Sequence, residues 1–440
     1  MRTSMATAFL ALAALTACGG AASAQKVGLD VRLGEPVMLA GQKNLVYLKV
    51  GLTGFDLEKS KSRPPVNIAI VLDKSGSMSG EKLMKAKEAA AMAVDRLSPD
   101  DIVSIIAYDS TVQVVVPATK ATDKPAIHAG IRRLGAAGNT ALFAGVSKAA
   151  DELRKFLAEE RVNRVILLSD GLANVGPSTP GDLESLGAAL GREGMSVTTI
   201  GLGLDYNEDL MTKLAGASDG NHVFVEQPAD LVRFFTLEFG DVLSVVAQDV
   251  GVVVKCAPGV RPVRALGREA DIVGQVVTAR LNQLYARREK FVMLELEVPA
   301  GEKGGTSPVA EVVVTYGNMA TGTTEQVTGR VSARFTDDHG EVQRGADRDV
   351  MVKAVQLVAT DRNRMAVLLN DQGRRAEAHQ ILQDNASFLN ENFRTWNAPS
   401  LKSLEEANRE DAKNLDPEDY KKRRKMMRRE QYRFDSQQSY

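Results

Sequence analysis

The chain has 440 residues, 44% of them hydrophobic and 25% charged, with 37 glycines and 15 prolines; these proportions exclude collagen-like, coiled-coil and wholly disordered proteins. Lys plus Arg (55) and Asp plus Glu (56) nearly cancel, leaving a formal charge of −1, so the chain as a whole is not built to coat nucleic acid. Aromatic residues are 5%, with one tryptophan, Trp396, which argues against stacking platforms for bases.

Residues 1–24 read as an export signal. Met1-Arg2 gives a positive start, and the uncharged run from Met5 to Ala17 is too short to span a bilayer. Two cleavage points compete. Leu15-Thr16-Ala17-Cys18 resembles a bacterial lipobox, which would make Cys18 the lipidated first residue, whereas Ala22-Ser23-Ala24 suits ordinary signal peptidase acting before Gln25. The expectation is an exported lipoprotein, anchored in a membrane and facing the periplasm or exterior, with a soluble periplasmic or secreted protein as the alternative. Cys256, the other cysteine, is left without an intramolecular partner and reads as a buried, inert thiol.

Past the signal the pattern changes character. Residues 26–64 hold strand-like runs such as Leu45-Val46-Tyr47-Leu48-Lys49-Val50 and end in a polar joint from Lys59 to Pro65. Over 65–240, strands alternate with helices. Val66 to Leu72 is almost continuously apolar, as expected of a strand buried on both faces of a parallel sheet. Ile102 to Ala107, Val165 to Leu168 and Val197 to Ile200 repeat that character, and helical segments lie at Glu81–Leu97, Ala141–Leu157, Leu183–Arg192 and Glu208–Leu214. This alternation predicts an α/β domain with a doubly wound, mostly parallel sheet. Residues 245–336 return to β: Val292, Leu294, Leu296 and Val298 alternate with Met293, Glu295 and Glu297, predicting one buried face and one wet face. The N-terminal strands have no partners of their own, so the α/β domain is expected as an insertion in a discontinuous β-sandwich. Residues 346–415 form a helical hairpin region, with two helices over Asp347–Asn392 broken near Gly373. In the last segment, 416–440, Lys421 to Arg429 is almost wholly basic. It is expected as a solvated, disordered end, with attraction to anionic lipid or an acidic polymer as the functional alternative.

The chemistry sits at the end of the first buried strand. Asp73-Lys74-Ser75-Gly76-Ser77-Met78 follows Leu72 and opens the helix near Glu81, at the carboxyl end where open α/β sheets place their ligands. Asp73, Ser75 and Ser77 offer three oxygen-bearing side chains, with Asp73 expected to face solvent. Hard cations such as Mg²⁺ take six oxygens, more than one short loop supplies. Gly138-Asn139-Thr140 and Ser169-Asp170-Gly171 lie at the same sheet edge and add a hydroxyl and a carboxylate. Helix capping would account for Asp73 and Ser75, but not for Thr140 or Asp170.

The ordered set Asp73-x-Ser75-x-Ser77, Thr140, Asp170 resembles the metal-ion-dependent adhesion site of von Willebrand factor A (VWA) domains, and the resemblance is specific over about 66–225. It implies a doubly wound sheet holding Mg²⁺, or Mn²⁺ or Ca²⁺, at its upper edge. It further implies that Ser75, Ser77 and Thr140 bind the ion directly when ligand is present, while Asp73 and Asp170 act largely through water. An ion held in this way recruits an acidic group from a partner. More loosely, the whole chain resembles bacterial secreted relatives of calcium-activated chloride channel regulators and inter-α-trypsin inhibitor heavy chains.

Rival chemistries fit less well. A Gly-x-Ser-x-Gly nucleophile turn fails, because Met78 is central in Gly76-Ser77-Met78-Ser79-Gly80. Gly201-Leu202-Gly203 lacks the third glycine of a dinucleotide fingerprint, Tyr206 standing there. His128, His222, His339 and His379 lack zinc-ligand spacing, and Asp337-Asp338-His339-Gly340 reads as a turn. The expectation is a non-enzymatic, metal-dependent protein-binding or adhesion module of the bacterial cell envelope. Its partners would be a protein offering an Asp or Glu carboxylate and, through the lipid anchor, a membrane, with no nucleic acid. The alternatives are an envelope scaffold whose metal only stabilises the fold, or a channel- or protease-related regulator.

Overall fold

The computed structural model describes residues 26–57 and 63–438; the signal segment and Cys18 lie outside them. The chain begins with β1 (Gly28–Leu33), β2 (Val37–Leu39) and β3 (Asn44–Thr53). It then enters the α/β domain through β4 (Val66–Asp73), α1 (Glu81–Asp95), β5 (Ile102–Tyr108), β6 (Val112–Lys120), α2 (Lys124–Arg132) and α3 (Leu142–Arg154). The domain is completed by β7 (Val162–Ser169), α4 (Pro180–Arg192), β8 (Met195–Leu202), α5 (Glu208–Ala217), β9 (His222–Val225) and α6 (Leu231–Val242). Every residue of β4, β5, β7 and β8 is buried, as their apolar runs require of strands covered on both faces. The strand order is β6-β5-β4-β7-β8-β9, with β6 alone antiparallel. The order reverses at β4, so the carboxyl ends of β4 and β7 flank the crevice where doubly wound sheets bind ligands.

The second half of the sandwich follows as β10 (Val245–Cys256), β11 (Arg261–Leu266), β12 (Asp271–Val273), β13 (Val276–Tyr285), β14 (Glu289–Val298), β15 (Thr306–Asn318) and β16 (Thr323–Thr336). One sheet is β1-β3-β14-β11 and the other β12-β13-β10-β15-β16-β2. Val46, Leu48 and Val50 of β3 lie opposite Leu296, Leu294 and Val292 of β14, so strands on either side of the inserted domain share one ladder. Cys256 is buried and unpaired, and burial pushes its thiol up to about 11, an inert state.

Five helices follow: α7 (His339–Gly345), α8 (Arg348–Asp371), α9 (Arg375–Trp396), α10 (Pro399–Lys413) and α11 (Pro417–Ser436). Asp338, expected in a turn, caps α7 by accepting the Gly340 amide at 2.7 Å. Gly373, at φ +79°, separates α8 from α9. Two expectations need correction. The face of β14 carrying Met293 and Glu295 is not wet: both are buried, because Val350, Ala354 and Leu357 of α8 cover that side against Met293 and Phe291. Burying one such side chain is worth about 1.5–3 kcal/mol, enough to hold the helix on the sheet.

The second correction concerns the basic end, expected as a disordered tail. Residues 417–436 form α11, packed on the α/β domain, with Met427 and Tyr432 buried. Its cations meet acids from elsewhere in the chain. Lys421 pairs with Asp205 at 2.7 Å, Lys422 with Glu226 at 2.6 Å and Arg428 with Asp209 at 2.9 Å. Arg424 spans Glu208, Asp209 and Asp371, and Lys425 is buried on Glu208 and the Tyr206 carbonyl. Like charges that would repel in an isolated segment are thereby neutralised one by one.

Candidate functional site

At the carboxyl end of β4, Asp73 does not face solvent as expected; it is fully buried. One carboxylate oxygen accepts the Ser75 amide at 2.8 Å; the other accepts the Ser169 hydroxyl at 2.6 Å and the Tyr108 hydroxyl at 3.3 Å. Burial pushes this carboxyl above the ordinary range, against the opposing pull of the Ser169 and Ser75 hydrogen bonds. Burial likewise raises the Tyr108 phenol, with the Asp73 charge beside it adding to the shift.

From Asp73 the donors run outward. The Ser75 and Ser77 hydroxyls lie 3.1 Å apart, and Ser77 donates to Asp170 Oδ1 at 2.7 Å. Asp170, itself fully buried, meets the Lys82 ammonium through Oδ2, leaving Oδ1 on the serine side. Thr140 is held by Asn174, whose side chain accepts the Thr140 amide at 2.9 Å and whose own amide donates to the Thr140 carbonyl at 3.2 Å. A Cβ added to Gly171 would stand 3.2 Å from Thr140 Oγ1 and 3.4 Å from Ser77 Oγ, so glycine there keeps the space between the two hydroxyls open. Gly138 joins the loops. Its carbonyl accepts the Gly76 amide at 3.0 Å, and at φ +75° a Cβ would press to 2.8 Å from Ser110 Oγ.

The structure thus gathers Asp73, Ser75, Ser77, Thr140 and Asp170 around one point at the sheet's switch. Three hydroxyls and two carboxylates are hard oxygen donors of the kind Mg²⁺ takes, and the gap preserved by Gly171 is a cradle a side chain would fill, so the donor set fits such an ion. Sequence reasoning missed Tyr108, Asn174 and Lys82, and named Ser169 in its loop without giving it a role. Tyr108 ends β5 at the same sheet edge, so the carboxyl-end rule reaches it. Lys82 stands in the first turn of α1, where the helix dipole disfavours a cation; that misplacement is a readable hint of a local acid.

In front of these donors opens a cavity of about 800 Å³. Its other walls are the exposed Leu172, the segment from Leu204 to Asp209 between β8 and α5, and Lys421, Arg424 and Lys425 of α11.

A doubly wound α/β domain with an oxygen-donor cluster at its switch point defines the class of protein. Residues 67–236 match the von Willebrand factor type A domain, and the chain carries a domain of that family. Such domains are typically protein-interaction modules and commonly bind a divalent metal. Uncharacterized protein sll0103 of Synechocystis sp. is 28% identical over 74% of this chain and 84% of its own length. Uncharacterized protein YfbK of Escherichia coli is 30% identical over 50% of this chain and 39% of its own length. Human inter-alpha-trypsin inhibitor heavy chain H4 is 33% identical over 34% of this chain. The chain spans only 17% of that last protein. Among solved structures, a von Willebrand factor type A protein from Catenulispora acidiphila superposes with a TM-score of 0.69 at 19% identity, covering 87% of this chain and 90% of that one. The ArnB paralog VWA2 from Sulfolobus acidocaldarius gives 0.61 at 18% identity, covering 93% and 98%. These two likenesses establish the shared fold.

Proposed function

We propose that this chain is a metal-dependent protein-binding module of the bacterial cell envelope. In this reading Ser75, Ser77 and Thr140 hold Mg²⁺, or Mn²⁺ or Ca²⁺, with Asp73 and Asp170 behind them, and the ion supplies an electrophilic contact for an Asp or Glu carboxylate of a partner. The observation that carries the reading is the convergence of three hydroxyls and two buried carboxylates beside an open cavity. The chain's own residues do the orienting: Ser169 and Tyr108 fix Asp73, Asn174 fixes Thr140, and Lys82 holds the outer oxygen of Asp170. The hydroxyls act as donors to an ion rather than as nucleophiles, so the module binds and does not catalyse. A scaffold in which the ion only stabilises the fold is less well supported, since Lys82 already answers Asp170 and the serines are hydrogen-bonded within the chain.

Calorimetry of Mg²⁺ with the full chain, followed by capture from envelope extracts with and without EDTA, tests the reading. The expected result is Mg²⁺ binding and a captured protein released by EDTA. Capture indifferent to EDTA would overturn it.

The envelope location rests on the sequence of the signal segment. Lipid on Cys18 would bury acyl chains at about 0.8 kcal/mol per CH₂, enough for several chains to hold the protein on a membrane. Cys18→Ser should release the chain from salt-washed membranes, with signal peptidase using the site after Ala24. Mass spectrometry of the mature N-terminus checks this, and an unmodified Gln25 start in the wild type would refute the anchor.

A further inference from the structure

The C-terminal helix does more than brace the α/β domain. The cavity before the oxygen donors has two kinds of wall. One part is Ser75, Ser77, Thr140 and Asp170; another is Lys421, Arg424 and Lys425 of α11 with the acids Asp205, Glu208 and Asp209 that they pair with, and Leu172 and Leu204 also line the space. At about 800 Å³ it is far larger than one carboxylate needs and lies in the range that takes drug-sized ligands.

The three cations on the α11 side are not equivalent. Arg424 is held by Glu208, Asp209 and Asp371, and Lys425 is 2% exposed, bonded to Glu208 and stacked over the Tyr206 ring at 4.0 Å. These two fix the helix in place, and the acids Glu208 and Asp209 are neutralised in doing so. Lys421 is different. Its only ion pair among the described residues is with Asp205, and the two side chains are 60% and 70% exposed. Surface pairs of this kind contribute little to stability and exchange readily with solvent or another ion. Leu172, 58% exposed although apolar, lines the same cavity.

From this arrangement we infer that α11 is half of the ligand site, and that the partner presents a short di-acidic segment. One carboxylate goes to the ion site, an apolar side chain rests on Leu172 and Leu204, and a second carboxylate pairs with Lys421. The inference rests on the metal-dependent reading above and adds to it the chemical class of the ligand. It also explains why a basic helix more than two hundred residues beyond the donor loops is seated here. Arg424 and Lys425 orient it, and Lys421 at the rim reads the incoming chain.

The test uses the full chain in millimolar Mg²⁺ and labelled synthetic hexapeptides read by fluorescence anisotropy. One peptide carries Asp beside Leu, a second set adds a Glu two to four positions further on, and a third carries Leu without acids. The best di-acidic peptide should bind about five- to tenfold more tightly than the mono-acidic one, the scale of one partly exposed charge-assisted contact. Lys421→Gln should erase that difference and Lys421→Glu reverse it, both with Mg²⁺ affinity by calorimetry unchanged. Equal binding of mono- and di-acidic peptides, or equal binding of the acid-free peptide, overturns the role of α11 while leaving Mg²⁺ binding intact. Mg²⁺ binding with no peptide binding also overturns it. Loss of Mg²⁺ binding in the wild type would instead strike the metal-dependent reading itself.

Discussion

Thr140→Val should leave the chain folded and abolish Mg²⁺-dependent capture, whereas Asp170→Asn should weaken Mg²⁺ binding itself by about 10–100-fold. The two substitutions separate two roles. Thr140 is buried, its backbone is fixed by Asn174, and its hydroxyl makes no hydrogen bond to the other described residues. Valine removes the oxygen while nearly keeping the shape, so the change is chemical rather than volumetric, and thermal stability should hardly move. Asp170 is engaged on both oxygens, by Ser77 and by Lys82. Asparagine keeps the acceptor toward Ser77 but removes the charge and turns an amide toward an ammonium. Lys82 is partly exposed and can turn to solvent, so the stability cost stays near about 1–3 kcal/mol. Calorimetry for the ion, capture for the partner and a thermal melt for each variant make the comparison. Unchanged capture by Thr140→Val removes that loop from the site, and unchanged Mg²⁺ affinity in Asp170→Asn removes the third loop.

The candidate site is legible in the sequence because its logic is local and repeated. Each donor loop follows or precedes an element whose apolar run or helical pattern can be read without partners, and the carboxyl-end rule collects the loops at one edge. Burial is not legible in the same way. Asp73 stands at a strand end and looks solvent-facing, yet Tyr108 and Ser169, on β5 and β7, close over it. For that reason Asp73→Ala is a poorer probe than Thr140→Val: it leaves several donors unsatisfied and confounds lost binding with lost stability. The wet face assigned to Met293 and Glu295 fails for a related reason, since strand alternation reports which residues share a face and not what a distant helix lays upon it. The basic segment shows the limit most clearly. Seven neighbouring cations read as a repelling tail, and only the fold reveals that Glu208 and Asp209, over two hundred residues away, are aimed at them.

Arg164→Ala should cost about 3–5 kcal/mol of stability, more than either substitution at the donor loops, while leaving Mg²⁺ affinity unchanged. Arg164 lies near the start of β7 with no exposure, and its guanidinium reaches Thr198 at 2.9 Å, Glu238 of α6 at 3.2 Å, and Tyr285 of β13 at 3.1 Å, with Gln283 also bonded. It is therefore one point where the inserted α/β domain is bonded to the sandwich, beside Asp219, which accepts from Arg268 at 2.8 Å and from the Asn282 amide at 2.6 Å. Removing one member of a buried ion pair strands the other charge without water, which is why such cuts are expensive even where the pair itself is worth little. The carboxylate losing its counter-ion would be Glu238, itself fully buried and left with the hydrogen bonds from Thr198 and Asn221. Its charge already helps burial push Asp241 up to about 6, so a Glu238 without the Arg164 charge would have a second acid beside it. Glu238→Gln in the Arg164→Ala background should accordingly recover part of the loss, and a double-mutant cycle by urea unfolding measures how much. The metal site should not register either change, because Ser169 is five residues along the same strand, about 17 Å away at 3.3 Å per residue, and its contacts to Asp73 are separate from those of Arg164. A loss below about 1 kcal/mol would mean that the guanidinium is dispensable and that the remaining contacts, those of Asp219 with Arg268 and Asn282 among them, suffice to seat the α/β domain on the sandwich. An equal fall in Mg²⁺ affinity would mean that the donor loops depend on how that domain is seated.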